Sequence, residues 1–105
     1  MSQEIIYVFW TCRDDVEAKK IIHKLLDHKL IACASIFPAV TSIYPWNNKI
    51  EEATETKVIL KTIKNHFQNI TTIIAEIGSY EISEISAIEI SQISPKYQNW
   101  IRQNT

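Results

Sequence analysis

The sequence predicts an α+β domain in which helices cover one face of an antiparallel sheet. The 105 residues include 20 isoleucines, and β-branched side chains suit a pleated sheet. Strand-like and helix-like apolar patterns follow one another in the order β-α-β-β-α-β-α. The only glycine, Gly78, excludes Gly-rich phosphate loops, because such loops need several positions where the backbone carries no Cβ. The length suits one domain, residues 1–105.

The first two predicted elements are a strand and an amphipathic helix. Glu4 to Cys12 form an apolar, aromatic and β-branched run that is typical of a strand. Asp14 can cap the following helix, with Glu17 three residues on as in a capping box. We expect this helix to end near Lys29. Its apolar stripe has helical spacing and contains Ala18, Ile21, Ile22, Leu25 and Leu26.

A long hairpin follows the first helix. Leu30 to Phe37 predict a second strand, which Pro38 interrupts before extended structure resumes from Val40 to Trp46. The two asparagines that follow predict a tight turn, because asparagine tolerates positive φ. Lys49 to Lys64 predict a third strand, which would span roughly 50 Å if straight. The hairpin must therefore bend sharply or project beyond its own domain.

The last third of the chain predicts a helix, a strand and a short final helix. Asn65 is expected to cap the second helix and Gly78 to end it with a positive φ. Ile85 to Ile93 predict the fourth strand, and Ser94 with Pro95 predicts the start of the last helix. The expected buried face of the second helix contains Phe67, Ile70, Ile73, Ile74 and Ile77. That of the last helix contains Tyr97, Trp100 and Ile101. The first six elements match the split βαβ, ferredoxin-like arrangement.

The first strand is apolar on both of its faces. One side carries Ile6, Val8 and Trp10, and the other carries Ile5, Tyr7 and Phe9. Helices cover only one face of this fold, and the last helix can cover only part of the other. The far half of the hairpin is also apolar, which is unfavourable for a solvated arm. Both features predict self-association as a closed homo-oligomer.

Composition excludes several classes of partner. The chain has 11 basic and 12 acidic residues and a net charge of −1, without the basic patch that nucleic acid requires. No apolar run is long enough to span a membrane, and the first residues lack a basic leader. We therefore expect a cytoplasmic protein without nucleic-acid or membrane partners. Its two cysteines are expected to be free thiols in that reducing compartment.

The hairpin region resembles the signature of the CutA family, also called divalent-cation tolerance proteins. The family pattern is roughly A-C-A-x-I-x-P-x-x-S-x-Y-x-W-x-G-K-I-E, then E, then L-K-T. This chain supplies Ala32, Cys33, Ala34, Ile36, Pro38, Ser42, Tyr44, Trp46, Lys49, Ile50, Glu51, Glu55, Leu60, Lys61 and Thr62. The flanking sequences also resemble the family. Thr11 matches its first loop and Trp100 matches a tryptophan of its last helix. Tyr80, Glu81 and Glu84 match parts of an H-P-Y-E-x-P-E segment.

The resemblance spans essentially the whole chain and implies a specific assembly. It implies a trimer of ferredoxin-like subunits with sheets around a threefold axis and long hairpins that grip neighbouring subunits. It also implies a role in tolerance to copper and other divalent cations, without a firmly attached reaction. We therefore expect no enzyme activity and no required cofactor, with copper or another divalent cation as the candidate ligand. The trimer further resembles the PII signalling proteins, which bind small anions between subunits.

This chain departs from the family pattern in three regions, which are the hairpin turn, the segment around Tyr80 and the end of the first strand. Asn48 replaces the turn glycine, Gly78 and Ser79 replace a histidine and a proline, and Ser83 replaces a second proline. Trp10 stands where some members carry a cysteine, and copper ligation has been proposed at those cysteine and histidine positions.

Two cysteines remain as candidate metal ligands, because a thiolate suits Cu(I). Cys33 lies between two alanines in an apolar strand, so a buried structural role is the alternative. Cys12 lies where a strand meets a loop, and we expect it to be the more exposed of the two. His23 lies four residues before Asp27 on a helix, where a solvated pair is the simpler interpretation.

Charged and aromatic residues of the family pattern predict a ligand cleft between subunits. These residues are Tyr44, Trp46, Lys49, Glu51, Lys61, Tyr80, Glu81 and Glu84. Lys61 would supply a charge for an anion, whereas Glu81 or Glu84 would supply oxygen ligands for a cation. Salt bridges that hold the trimer together are the alternative. The predicted function is metal-ion tolerance, and the alternative is a PII-like module that binds a small anion.

Two other classes with a related fold fit poorly. An RNA-recognition motif needs glycine and aromatic residues on its third strand, where this chain reads KVILKTIK. An acylphosphatase-like enzyme needs an anion-binding loop after the first strand, where this chain offers Arg13 but no glycine.

Overall fold

A computed structural model of the protein describes residues 4–105. It contains one four-stranded antiparallel sheet, three α-helices and a 3₁₀ turn. The elements are β1 (Ile5–Cys12), α1 (Asp15–Asp27), β2 (Cys33–Trp46), β3 (Lys49–Ile63), the 3₁₀ turn (Lys64–His66), α2 (Phe67–Ile77), β4 (Ile85–Glu89) and α3 (Pro95–Gln103). The strand order is β2-β3-β1-β4, which confirms the ferredoxin-like prediction. Within these residues, no helix has the length and apolar content to cross a membrane.

Helices α1 and α2 cover one face of the sheet and bury the main core. Trp10 and Val58 are opposite each other on β1 and β3 and are almost completely buried there. From the helices, Ile21 and Ile74 are equally buried. Leu26 belongs to the predicted stripe of α1 but is 38% exposed, so that part of the prediction was wrong.

The opposite face of the sheet, which we call the open face, has only partial cover. Its central residues are Tyr7 and Phe9 on β1, Ile59 and Lys61 on β3, and Cys33 on β2. Helix α3 covers one end, where Ile101 packs with Ile5 and Ile63. The prediction that the last helix covers only part of this face is therefore confirmed.

The β2-β3 hairpin projects beyond the rest of the sheet. β1 pairs with β3 only from Thr56 to Ile63, whereas Lys49 to Glu55 pair with β2 alone. The molecule consequently extends 45 Å along its longest axis. The turn residues Asn47 and Asn48 both have positive φ, 51° and 66°, which confirms the predicted tight turn.

Several element boundaries differ from the prediction. β2 begins at Cys33 because the preceding Leu30 and Ile31 are buried under the helices as a connecting segment. The strand also continues through Pro38, since a bulge between Phe37 and Val40 absorbs the proline on an edge strand. β4 ends at Glu89, four residues before the predicted end.

The helix ends also differ in detail. Asp14 caps α1 as predicted and accepts a hydrogen bond from the Glu17 backbone at 2.9 Å. Asn65 does not cap α2, because it lies inside the 3₁₀ turn and the N-cap is His66. Gly78 has a φ of −73° rather than a positive one. A Cβ at Gly78 would lie 2.6 Å from the Ile74 carbonyl oxygen, so the close approach of backbone explains the glycine.

Candidate functional site

A cavity of about 510 Å³ lies between the hairpin and the loop that joins α2 to β4. We call it the hairpin cavity. Its lining combines aromatic rings, hydroxyl groups and three glutamates. The lining residues are Thr11, Ser42, Tyr44, Pro45, Trp46, Glu55, Ser79, Tyr80, Glu81, Ile82 and Glu84.

The hairpin supplies one wall through alternate residues of β2. After the bulge, Val40 pairs with Glu55, so Ser42, Tyr44 and Trp46 follow at two-residue spacing. Side chains at this spacing point to the same side of a strand. The bulge therefore sets the side of the hairpin on which these three side chains lie.

A buried glutamate anchors the opposite wall. The Glu17 carboxylate on α1 accepts a hydrogen bond from the Ser79 backbone at 2.7 Å and another from the Arg13 backbone at 3.0 Å. Burial works to raise the pKa of Glu17, but the Arg13 N–H together with the hydroxyl and N–H of Ser79 outweighs it and holds the pKa below its usual range. The charged Glu17 thus fixes the loop that carries Tyr80 to the start of the first helix.

The Glu84 carboxylate at the cavity accepts hydrogen bonds from three side chains. The donors are the Thr11 hydroxyl at 2.9 Å, the Lys57 ammonium at 3.0 Å and the Ser86 hydroxyl at 3.1 Å. Partial burial opposes ionisation, but these donors together lower the pKa of Glu84. Its negative charge is therefore matched locally by Lys57.

Tyr80 and Glu55 meet at the inner part of the cavity. Glu55 is only 8% exposed. Burial, together with the interaction between the Tyr80 hydroxyl and the Glu55 carboxylate, raises the pKa of Tyr80 well above its usual range. Tyr80 therefore keeps its proton at physiological pH and presents a neutral hydroxyl to the carboxylate.

The structure brings together five of the eight residues predicted for a ligand cleft. Tyr44, Trp46, Tyr80, Glu81 and Glu84 line the hairpin cavity. Lys49, Glu51 and Lys61 do not line it.

Lys49 and Lys61 lie outside the hairpin cavity because of their positions on β3. Lys49 belongs to the turn end of the hairpin, where it pairs with Trp46. Lys61 lies on the open face, with its ammonium 5.5 Å from the ring centres of Tyr7 and Tyr97. Interaction with Tyr97 raises the pKa of Lys61, so it remains a cation.

The sequence-based cleft omitted six lining residues, which are Thr11, Ser42, Pro45, Glu55, Ser79 and Ile82. A usable signal existed for Ser42, because it shares the two-residue spacing of Tyr44 and Trp46. Glu55 also belongs to the family pattern, but its position opposite the loop depends on how far the loop reaches over β3, which the pattern does not indicate.

The two thiols are exposed in the opposite order to the prediction. Cys12 is 2% exposed on the helix-covered face, and its thiol donates to the Asp14 carbonyl oxygen at 3.5 Å. Burial, assisted by the nearby Glu17, raises the pKa of Cys12 from 9.0 to about 12. Cys33 is half-buried on the open face. The junction of Cys12 with a loop misled the prediction, because α1 folds over that junction.

The two thiols also lie far apart. Cys12 is opposite Thr56 and Cys33 is opposite Lys61 on the same strand. Five residues of β3 separate these positions by roughly 17 Å, and the odd number places the thiols on opposite faces. One chain therefore cannot bring both thiols to one metal ion.

No ready metal centre is present in the part of the chain from residue 4 to residue 105. Nowhere in that part do three histidine, cysteine, aspartate or glutamate side chains lie close enough to hold one ion together. His23 is exposed on α1. His66 has a buried Nε2 without a hydrogen-bond partner, and burial lowers its pKa. A metal at the hairpin cavity would bind few carboxylates and complete its shell with water or another subunit.

The fold and the cavity define a class of small ferredoxin-like proteins with an acidic, aromatic cavity beside a projecting hairpin. The chain belongs to the CutA1 divalent ion tolerance protein family, whose model matches residues 6–104. It is 34% identical to the protein CutA homolog of Xenopus laevis over 96% of this chain and 67% of that protein. It is 31% identical to the divalent-cation tolerance protein CutA of Citrobacter koseri over 93% of this chain and 85% of that protein.

Vertebrate relatives are longer than this chain. It matches the CutA protein of Mus musculus at 34% identity over 92% of this chain, but it spans only 55% of that protein. The chain therefore covers about half the length of some relatives that it matches.

Solved structures of the family share the fold throughout. The divalent ion tolerance protein CutA1 of Ehrlichia chaffeensis superimposes with a TM-score of 0.91 at 34% identity, over 96% of this chain and 94% of that chain. The Archaeoglobus fulgidus protein, described as a periplasmic divalent cation tolerance protein, gives a TM-score of 0.92 at 33% identity, over 95% of this chain and 97% of that chain.

Proposed function

We propose that this chain is a homotrimeric metal-ion tolerance protein that binds a divalent cation at the hairpin cavity and catalyses no reaction. The observation that carries the proposal is the negative charge of the side chains that line the cavity. Its lining contains Glu55, Glu81 and Glu84 but no lysine or arginine. Carboxylate oxygens are ligands for divalent cations. The cytoplasm fits this role, because both free thiols stay reduced there.

Glu81 and Glu55 are the carboxylates best placed to attract an ion. Glu84 already forms an ion pair with Lys57, so its charge is partly neutralised. A divalent cation can bind one or two protein carboxylates and keep several water molecules. This mode of binding fits the absence of a three-ligand cluster among residues 4–105.

The open face supports the trimer. Phe37 and Ile88 at its edges remain 47% and 51% exposed, although they are large and apolar. Between them, Phe9 and Ile59 are only half-buried. A second copy of the chain would remove this surface from water, and the projecting hairpin is long enough to reach a neighbour. Light scattering tests the assembly, with three times the 12.2 kDa chain mass expected. A stable 12.2 kDa species at micromolar concentration contradicts it.

Calorimetric titration with Zn(II), Cu(II) and Cu(I) tests the cation site. We expect saturable binding by the wild type and at least tenfold weaker binding by Glu81→Gln. The matched control is Glu76→Gln, because Glu76 is an exposed glutamate of α2 outside the cavity. Cys12→Ser and Cys33→Ser separate a thiolate site from a carboxylate site. The absence of saturable binding with all three ions contradicts the metal function.

A PII-like role in binding a small anion is the second candidate function. One observation favours it: among residues 4–105, Lys61 forms no salt bridge with a carboxylate, although it lies on the half-buried open face between two tyrosines. Such a cation is available to an anion held between subunits. Titration with ATP tests this role. Saturable binding without hydrolysis, lost in Lys61→Met but retained in the exposed control Lys20→Met, is the expected result.

A further inference from the structure

We propose that the hairpin cavity also binds a protonated organic amine, held between its aromatic rings and its carboxylates. The proposal rests on the cavity being a cation site, as proposed above. It concerns a different class of cation, however, and the two ligands can be tested separately.

The size of the cavity is the first reason. A metal ion with six water molecules fills roughly 180 Å³, whereas the cavity measures about 510 Å³. Cavities of roughly 300–1,000 Å³ are typical of sites for small organic molecules. The hairpin cavity therefore has space for a ligand with a carbon skeleton.

The aromatic lining is the second reason. Tyr44, Trp46 and Tyr80 contribute rings to the cavity, and Trp46 is 48% exposed although it is a large apolar side chain. A hydrated metal ion makes little use of such rings. An ammonium group over an aromatic face is attracted by the ring quadrupole, and the methylene groups beside it pack against the same ring. These rings therefore fit an organic cation better than a bare ion.

The charge distribution is the third reason, and it selects a cation rather than an anion. The only salt bridge to a lining carboxylate in the described residues joins Lys57 to Glu84. Glu55 and Glu81 therefore leave two negative charges that no lysine or arginine of residues 4–105 pairs with. Glu55 is 8% exposed, and the Tyr80 hydroxyl that it faces is neutral. An ammonium group close to Glu55 would supply the opposite charge that this carboxylate lacks.

Hydrogen-bond acceptors further narrow the ligand class. The lining offers the carboxylates of Glu55 and Glu81 and the hydroxyl oxygen of Ser42. A primary ammonium has three N–H donors, as a lysine side chain has, whereas a quaternary ammonium has none. Two unmatched carboxylates suit a ligand with two ammonium groups. The chemical class is therefore an aliphatic diamine or polyamine.

Calorimetry with 1,4-diaminobutane and its neutral analogue 1,4-butanediol tests the proposal on the full chain. We expect saturable binding of the diamine and none of the diol, because the two molecules share a carbon skeleton and differ in charge. Trp46→Leu should weaken diamine binding at least tenfold. The control Trp100→Leu should leave it unchanged, because Trp100 is similarly exposed, at 42%, but lies outside the cavity.

A second pair of variants keeps the test valid if Trp46→Leu does not fold. Glu81→Gln removes one charge from an exposed position, and Glu76→Gln is its control. Equal binding of diol and diamine, equal loss in Trp100→Leu, or no saturable diamine binding overturns the proposal. Metal binding that depends on Glu81 without diamine binding overturns the amine proposal alone. Diamine binding without metal binding supports the amine proposal and contradicts the metal function.

Discussion

The two faces of the sheet carry similar apolar side chains, but these side chains lie in different environments. On the helix-covered face, Val8, Trp10 and Val58 are essentially inaccessible to solvent. On the open face, their neighbours Phe9 and Ile59 stay half-buried. The ammonium groups of Lys57 and Lys61 lie near aromatic rings on this face, and that of Lys57 is 5.9 Å from the Phe9 ring centre.

The difference shows how one strand can serve two interfaces. Helices α1 and α2 close the first face permanently, since they belong to the same chain. The long side chains of Lys57 and Lys61 shield the second face only partly. Such a cover can be rearranged when a second subunit arrives, which is consistent with the trimer proposed above.

The largest expected effect comes from adjacent residues of β3. Val58→Asp places a carboxylate in the fully buried core, where an unpaired charge costs several kcal/mol, and we expect the chain to unfold. Ile59→Asp places the same group on the open face, and we expect a folded monomer. Circular dichroism measures folding, and light scattering measures assembly.

The two variants change adjacent positions of β3 whose side chains lie on opposite faces of the sheet. If Ile59→Asp remains a trimer, the open face is not the subunit interface. If Val58→Asp folds as well as the wild type, the two faces do not differ as the structure indicates.

The second prediction concerns the two thiols, one on each face. The raised pKa of Cys12 gives it a much smaller thiolate fraction at neutral pH than an ordinary thiol has. We expect Cys12 to remain unmodified by iodoacetamide in both the wild type and the Ile59→Asp variant. Cys33 should react faster in Ile59→Asp than in the wild type, because dissociation exposes the open face.

Mass spectrometry of the labelled peptides measures both rates. Rapid labelling of Cys12 in the folded protein would show that α1 opens readily. Equal labelling rates for Cys33 in the two proteins would show that assembly leaves it uncovered.

The third prediction concerns Glu17, which holds the loop of the cavity from the helix-covered side. Because its folded-state pKa is lowered, its contribution to the free energy of unfolding is complete above its unfolded pKa. It is lost as the pH falls through the folded-state pKa. Glu17→Gln should lower the free energy of unfolding by about 1–3 kcal/mol at pH 7, since hydrogen bonds to a charged acceptor are lost.

Urea denaturation at pH 7 and at acidic pH measures this effect. The difference between wild type and Glu17→Gln should shrink as the pH falls. The exposed Glu76 is again the control, and Glu76→Gln should show a much smaller difference at both pH values. A difference between Glu17→Gln and wild type that does not depend on pH contradicts the assigned role.

The smallest expected effect concerns the lysine cover of the open face. Lys61→Met removes the cation near Tyr7 and Tyr97 but keeps a flexible apolar stem. Partly exposed cation–π contacts contribute about 0.5–1 kcal/mol, so we expect a loss of that size in a monomeric background such as Ile59→Asp. A loss of several kcal/mol would mean that Lys61 is structural rather than part of a replaceable cover.

Local patterns predicted the elements better than their ends. The capping role of Asp14, the turn at Asn47 and Asn48, and the ferredoxin-like arrangement were all confirmed. These features depend on neighbours in sequence or on a short list of allowed topologies. The predictions for Asn65 and Gly78 failed on the local geometry at the two ends of α2. Those for the exposure of Leu26 and Cys12 failed because the exposure of a side chain depends on how α1 packs on the sheet.

The candidate site shows the same division. Tyr44 and Trp46 were found through a sequence pattern, and their shared side follows from strand geometry. Glu55 was not predicted as a lining residue, but the reach of the loop at Tyr80 brings it into the hairpin cavity. Lys61 lies outside this cavity, because it belongs to the open face.

The sequence by itself determined the class of fold, the position of the hairpin and the presence of apolar residues on both sides of β1. Those features follow from periodicity, turn residues and composition, which are local properties of a chain. Only the tertiary structure decided which face the helices cover, which thiol is buried and which carboxylates meet in one cavity. These outcomes depend on burial and electrostatic interactions between distant segments, and such interactions exist only after the chain has folded.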